Sequence, residues 1–136
     1  MSLEEARKHV DHATAQWNRA ASDWWEPADP ASCVTNVFYA YENLVVAVAE
    51  AHDFPWVKNH YKKADLASEL HEKGILTKDL KDEMLRLNGL RKNVSYGEPV
   101  SDLLDENLEG LVVELEGVLE EVESMITEME EAAEDD

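Results

Sequence analysis

The sequence predicts an all-α fold: an up-and-down bundle of about five antiparallel helices ending in a long acidic one. Three observations lead there. Apolar residues recur at three- and four-residue steps through five separate stretches. No stretch alternates apolar and polar residues as a half-buried strand does, and no repeat with a period of about 20–50 residues is present. The connections are short and marked by Pro, Gly and Asp, which favours antiparallel neighbours.

The first helix is expected from Ser2 to Trp25, with Leu3, Ala6, Val10, Ala13, Trp17, Ala20 and Trp24 on one stripe. Ser2 and Glu5 have the spacing of a capping box. His9 and His12 fall on its polar face, without the further donors that a metal site needs, so a solvated face is expected. The EPADP segment, Glu26 to Pro30, breaks the chain. Pro30 fits the first turn of a second helix capped by Asp29 and running to about Asp53. Val34, Val37, Phe38, Tyr41, Leu44, Val45, Val48 and Ala49 make this the most buried helix, with Tyr39 and Tyr41 as packing residues.

A third helix is expected from Asn59 to Lys73, with a thin apolar face of Tyr61, Ala64, Ala67 and Leu70 and with Gly74 at its end. His60 and His71 share roughly one face of it and are expected to be partly exposed. Thr77 is expected to cap a fourth helix, in which Leu80, Met84, Leu87 and Val94 keep helical spacing and Gly97 and Pro99 enforce the stop. The fifth helix is expected from Ser101 to near Ala133. Its stripe of Leu104, Leu108, Leu111, Leu115, Val118, Val122, Met125 and Met129 is widened by Val112, Leu119 and Ile126. That width suits packing against several helices. Glu114, Glu121 and Glu128 line the opposite flank. The domain is expected to span residues 1–129, leaving 130–136 as a solvated acidic tail whose removal would barely change stability.

Composition bounds the function. The 136 residues suffice for one domain with a modest core. The single Cys33 excludes an internal disulfide. The N-terminus has no apolar run, and the longest such run, Leu44 to Ala49, is far too short to cross a bilayer, so a soluble cytoplasmic protein is expected. The formal net charge of -19 is unevenly spread. Residues 100–136 hold fifteen acids and no Lys or Arg, whereas residues 58–92 hold nine of the twelve basic residues. A field of this sign disfavours nucleic acid at long range.

Arg91 is the least ordinary residue, a permanent cation on the apolar stripe of helix four, where it needs a partner. Glu42 and Glu50, the acids most exposed to burial by their position on helix two, are the expected candidates. Asn93, Ser95 and Tyr96 follow Arg91 at the helix end.

At these residues the chain resembles the HEPN (higher eukaryotes and prokaryotes nucleotide-binding) superfamily. The likeness is carried by NVFYAYENLVVAVAEA in helix two, KNHYKKADLASELHEKG in helix three and LNGLRKNVSYGEP in helix four. It covers roughly residues 5–125, in helix order and character more than in identity. Arg91 and the five residues after it occupy the place of the family's Arg-x4-6-His motif. The resemblance implies an all-α homodimer in which, in active members, Arg and His of both subunits meet in a cleft and cut RNA without a metal. Here Tyr96 stands where the family has histidine. A phenol is ionised in only about one molecule in a thousand at neutral pH and makes a poor general base.

The expected function is therefore a catalytically silent HEPN-like dimer that binds a ligand or a partner protein. The expected ligand or phosphate contacts are Arg91, Lys92, Asn93, Ser95 and Tyr96, and no metal or other cofactor is expected. The resemblance further implies an association with a small nucleotidyltransferase or a toxin–antitoxin pair. One alternative is an active metal-independent ribonuclease using Arg91, Asn93 and Tyr96. The other is a plain acidic helical interaction protein unrelated to HEPN.

Overall fold

A computed structural model describes residues 2–25, 29–95 and 106–135, and among these every regular element is a helix. The helices are α1 (Leu3–Trp25), α2 (Pro30–His52), α3 (His60–Glu72), α4 (Lys81–Ser95) and α5 (Leu108–Glu134). α2 is the hub, because it packs against each of the other four. Its sequence explains this: apolar residues lie nearly all round it, and Leu44 to Ala49 are buried without interruption.

Side-chain pairs fix the helix directions. Ser2 meets Glu50, His9 meets Asn43 and Asp23 meets Ser32, so α1 and α2 are antiparallel. Arg7 reaches Glu123 and Glu130 while Trp17 reaches Val112, so α1 and α5 are antiparallel too. It follows that α2 and α5 run the same way, a departure from a purely alternating bundle. Tyr61 meets Lys92 and Asp65 meets Lys81, which makes α3 and α4 an antiparallel pair.

The helix starts follow local chemistry. Ser2 Oγ accepts the Glu5 N–H at 3.1 Å, but the reciprocal half of the capping box is absent: the Ser2 N–H donates to the Glu50 carbonyl and the Glu5 carboxylate pairs with Lys8. Asp29 caps α2 through the Ser32 N–H, with Pro30 in the first turn as expected. Asn59 caps α3 through the Lys62 N–H. Gly74, with φ of 75°, supplies the left-handed residue that ends α3.

Two starts differ from the sequence reading. α4 begins at Lys81, where the Asp79 carboxylate accepts the Lys81 N–H at 3.0 Å. That bond, with a second from Ser68, holds the Asp79 carboxyl below its usual range. Thr77 is not the cap, because its N–H donates to Glu121 on α5. α5 begins at Leu108, capped by Asn107 through the Gly110 N–H, so no continuous helix runs from Ser101. A Cβ at Gly110 would lie 2.7 Å from the Asn107 amide nitrogen, so this capping geometry suits glycine.

The core takes Val10, Ala13 and Ala20 from α1, Leu70 from α3, Met84 and Leu87 from α4, and Leu115, Val122 and Ile126 from α5. On α3 the inward residue is Leu66, whereas Tyr61 is 55% exposed. Burial pushes the Tyr41 phenol above its ordinary range and the Cys33 thiol up to about 12, leaving neither poised for chemistry.

Residue 130 does not mark a structural break. α5 continues to Glu134, and Glu130 is half-buried against Arg7. The Arg7 guanidinium donates to both Glu123 oxygens at 2.8 and 2.6 Å, to both Glu130 oxygens at 3.2 and 2.6 Å, and to Thr127. Its charge holds the Glu130 carboxyl below the usual range. A lowered carboxyl pKa contributes stability that is present above the unfolded value and lost as pH falls through the folded one. Arg7→Ala is therefore expected to cost about 1 kcal/mol at neutral pH, a modest figure because the groups are partly solvated. Urea unfolding should show this difference shrinking below about pH 4, toward the ordinary glutamate range. A cost that persisted unchanged in acid would assign it to lost packing of the arginine stem instead.

Candidate functional site

Beside α2, a cleft of about 440 Å³ is lined by His9 of α1, Tyr39, Glu42 and Asn43 of α2, Trp56, Lys58 and Asn59 of the α2–α3 link, and His60 and Lys63 of α3. Its floor is a carboxylate that the sequence places among apolar residues. Glu42 is only 3% exposed and holds two basic groups: His60 Nδ1 lies 2.6 Å from Oε2, and Lys63 Nζ lies 3.7 Å from Oε1. This is how α2 tolerates an acid in its most apolar stretch. Lys63 also lies over the Trp56 ring, 5.6 Å from its centroid. Trp56 is fixed in turn, since its indole N–H donates to Glu50 at 3.0 Å.

The two histidines are oriented by the same logic. A carboxylate only accepts, so His60 carries its proton on Nδ1 toward Glu42. At His9 the neighbour is the Asn43 amide, whose Nδ2 donates to the Tyr39 carbonyl and to Gln16. That turns Asn43 Oδ1 toward His9 Nδ1 at 2.8 Å, and His9 donates to it. In both rings Nε2 is then the unprotonated nitrogen, an acceptor in the neutral imidazole. The Trp56 ring meets His9 edge-on at 5.8 Å, and Phe38 and Tyr39 flank His60 at 5.3 and 6.3 Å. His9 is thus half-buried and anchored, not part of a solvated face, whereas His12 is exposed. His60 is partly exposed as expected, and His71 is half-buried against the Leu76 carbonyl.

The residues singled out by the sequence lie alongside this cleft. Arg91 donates to Asn88 Oδ1 from Nε at 3.3 Å and Nη2 at 2.8 Å, and lies over Phe38 and Tyr39 at 5.4 and 5.5 Å. The acids expected to meet it are engaged elsewhere, Glu42 with His60 and Lys63 and Glu50 with Trp56. Asn88 is itself 3% exposed, so a buried amide and two aromatic faces are among the groups that meet this cation. Lys92 donates to the Tyr61 hydroxyl at 2.8 Å and Asn93 is exposed. Ser95 closes α4, and Tyr96 lies outside the described residues. Arg91 and the cleft share Tyr39 as a wall, and the Phe38 ring lies between Arg91 and His60.

Sequence reasoning marked Glu42 as an internal acid but missed His60 and His9 as its cleft companions. The available signal was an acid inside an apolar helix followed by a histidine at the start of the next one. Among the described residues no group of three or more potential ligands is placed to hold a metal ion, and no helix is long and apolar enough to cross a membrane. Comparisons with protein-family models, curated proteins and solved structures give no match for this chain.

Proposed function

We propose that this chain is a HEPN-like helical module that binds a small ligand, works as a homodimer and does not cut RNA. The observation that carries the binding part is the cleft beside α2. A buried carboxylate there orients His60 and Lys63, while aromatic walls and a second anchored histidine complete an open cleft of ligand size. A silent module is supported by the setting of Arg91, which is engaged by Asn88 and two rings, and by a tyrosine at the family's histidine position.

Purified protein is expected to leave single-stranded RNA intact at neutral pH, with or without a chelator. Tyr96→His is expected to gain cleavage if only the base is missing. Wild-type cleavage that survives chelator and disappears in both Arg91→Ala and Tyr96→Phe would instead establish a divergent nuclease. The binding part is tested by nuclear magnetic resonance against a panel of charged and neutral fragments. The Trp56 indole and the His9 and His60 ring signals should move together. Shifts confined to the α4 end would relocate the site to the Arg91 segment.

A further inference from the structure

We infer that the cleft takes a compact oxyanion of the phosphate type and takes up a proton on His60 as it does so; this rests on the binding role proposed above.

The charges inside the cleft run against those of the chain. In a protein of formal charge -19, the lining includes two lysines and two histidines but one acid. That acid is covered, with one oxygen on His60 and the other nearest Lys63. With neutral imidazoles the lining carries one net positive charge, and with His60 protonated it carries two. Beside the two imidazole Nε2 acceptors, the lining residues supply donors: the ammonium groups of Lys58 and Lys63, the Asn59 amide nitrogen and the Tyr39 hydroxyl. The first turn of α3 adds to this, because Asn59 and His60 stand at a helix start, where the helix dipole favours negative charge.

A cation finds little to pair with here, since the one carboxylate is already covered by His60 and Lys63, and a neutral donor meets only the two imidazole Nε2 acceptors and the Tyr39 oxygen. Another groove of similar size, between α1 and α5, has the opposite character: Asp11, Glu120 and Glu123 line it, and its one cation, Arg7, is committed to Glu123 and Glu130.

His60 is the group that couples the ligand to protons. Its Nδ1–H is held by Glu42, so a second proton has to enter at Nε2, where it becomes a charged donor to the ligand. The groups around His60 are Glu42 and Tyr39 on α2, Lys63 on α3, Lys58 on the link, His9 on α1 and, across the Phe38 and Tyr39 rings, Arg91 on α4. Lys63 and Arg91 oppose a further positive charge, and Glu42 supports it. An incoming dianion tips that balance toward the imidazolium. Because the ligand favours the protonated ring, the extra affinity is present at low pH and is lost as pH rises through the titration of the complex.

Titration calorimetry with sulfate isolates the protein's proton, since sulfate does not titrate in this range. Run near pH 6 and near pH 8 in buffers of different ionisation heat, it should show roughly tenfold tighter binding at the lower pH, with net proton uptake. His60→Gln should retain weak binding but lose the pH dependence. The exposed Lys58→Gln, which leaves the core untouched, should weaken binding at both pH values. Phenyl phosphate as a second probe separates sources: an ester that binds better than sulfate means the anion arrives attached to a larger molecule, and an excluded ester means it arrives free. Sulfate binding with no proton uptake, or with a pH dependence that survives in His60→Gln, would overturn the inference. If neutral or cationic fragments move the Trp56 and histidine signals while sulfate does not, the cleft still binds a ligand but the inference about its chemistry fails. If no fragment of any charge moves them, the binding role itself fails.

Discussion

Leu115→Ala is expected to lower the unfolding free energy by about 2–5 kcal/mol, the usual range for emptying a fully buried leucine site. Leu115 has no exposed surface, sits about two turns into α5 and belongs to the main core, in a helix that packs on both α1 and α2. Urea titration should show the midpoint falling with an unchanged slope, because the surface exposed on unfolding stays the same. A matched truncation separates this from a general weakness of α5. Removing Glu131 to Asp136 takes away described residues that are all exposed and leaves the Glu130–Arg7 pair in place, so it should cost little. Comparable losses from both changes would mean that the end of α5 is held by more than Arg7.

Phe38→Ala is expected to cost about 3–5 kcal/mol and to disable the cleft at the same time. The ring is 1% exposed, contacts Tyr39 and His60 edge-to-face, and lies under the Arg91 guanidinium. Removing it opens a void in the core, takes away an aromatic face from Arg91, and frees His60 to turn on its Glu42 bond. Phe38→Leu separates these effects. Most of the apolar volume returns with leucine, so most of the stability should return, while the ring faces do not. Fragment-induced shifts at His60 should therefore stay weaker in the leucine variant than in the wild type. Full recovery of both would reduce Phe38 to a space filler.

The helices were legible because their signals are local. The Ala6, Val10, Ala13 and Ala20 stripe, the Asp29–Pro30 start and the wide face of α5 all depend on residues within a few turns of one another, and each is found as expected. The errors arise where a distant group intervenes. Thr77 and Asp79 are equally plausible caps by type, and the choice between them reflects an acid 44 positions further on that takes the Thr77 N–H. Arg91 illustrates the same limit. Its need for a partner follows from its place on an apolar stripe, but which buried polar group meets it depends on how α4 lies across α2. That orientation favours Asn88 and two rings, while Glu42 faces α3. The cleft was least visible, since its parts lie on α1, α2, the link and α3, and no periodicity connects position 9 to 42 and 60.

The hub position of α2 has a consequence for how the molecule comes apart. Among the described residues, α3 and α4 pack extensively on each other and on α2 and have at most slight contact with α1 or α5. Beyond α2, the described hydrogen bonds tying the α3–α4 hairpin and its turn to the rest are the Thr77–Glu121 and Arg86–Glu106 pairs. Although their buried residues belong to the same apolar cluster as those of the hairpin, the remaining three helices are stapled to one another by Arg7 and Trp17. The hairpin can therefore open as a separate cooperative segment below the global free energy of unfolding. Since Asn59, His60 and Lys63 lie at or within its first turn, a ligand held between them and Glu42 would act as a clasp between the hairpin and α2.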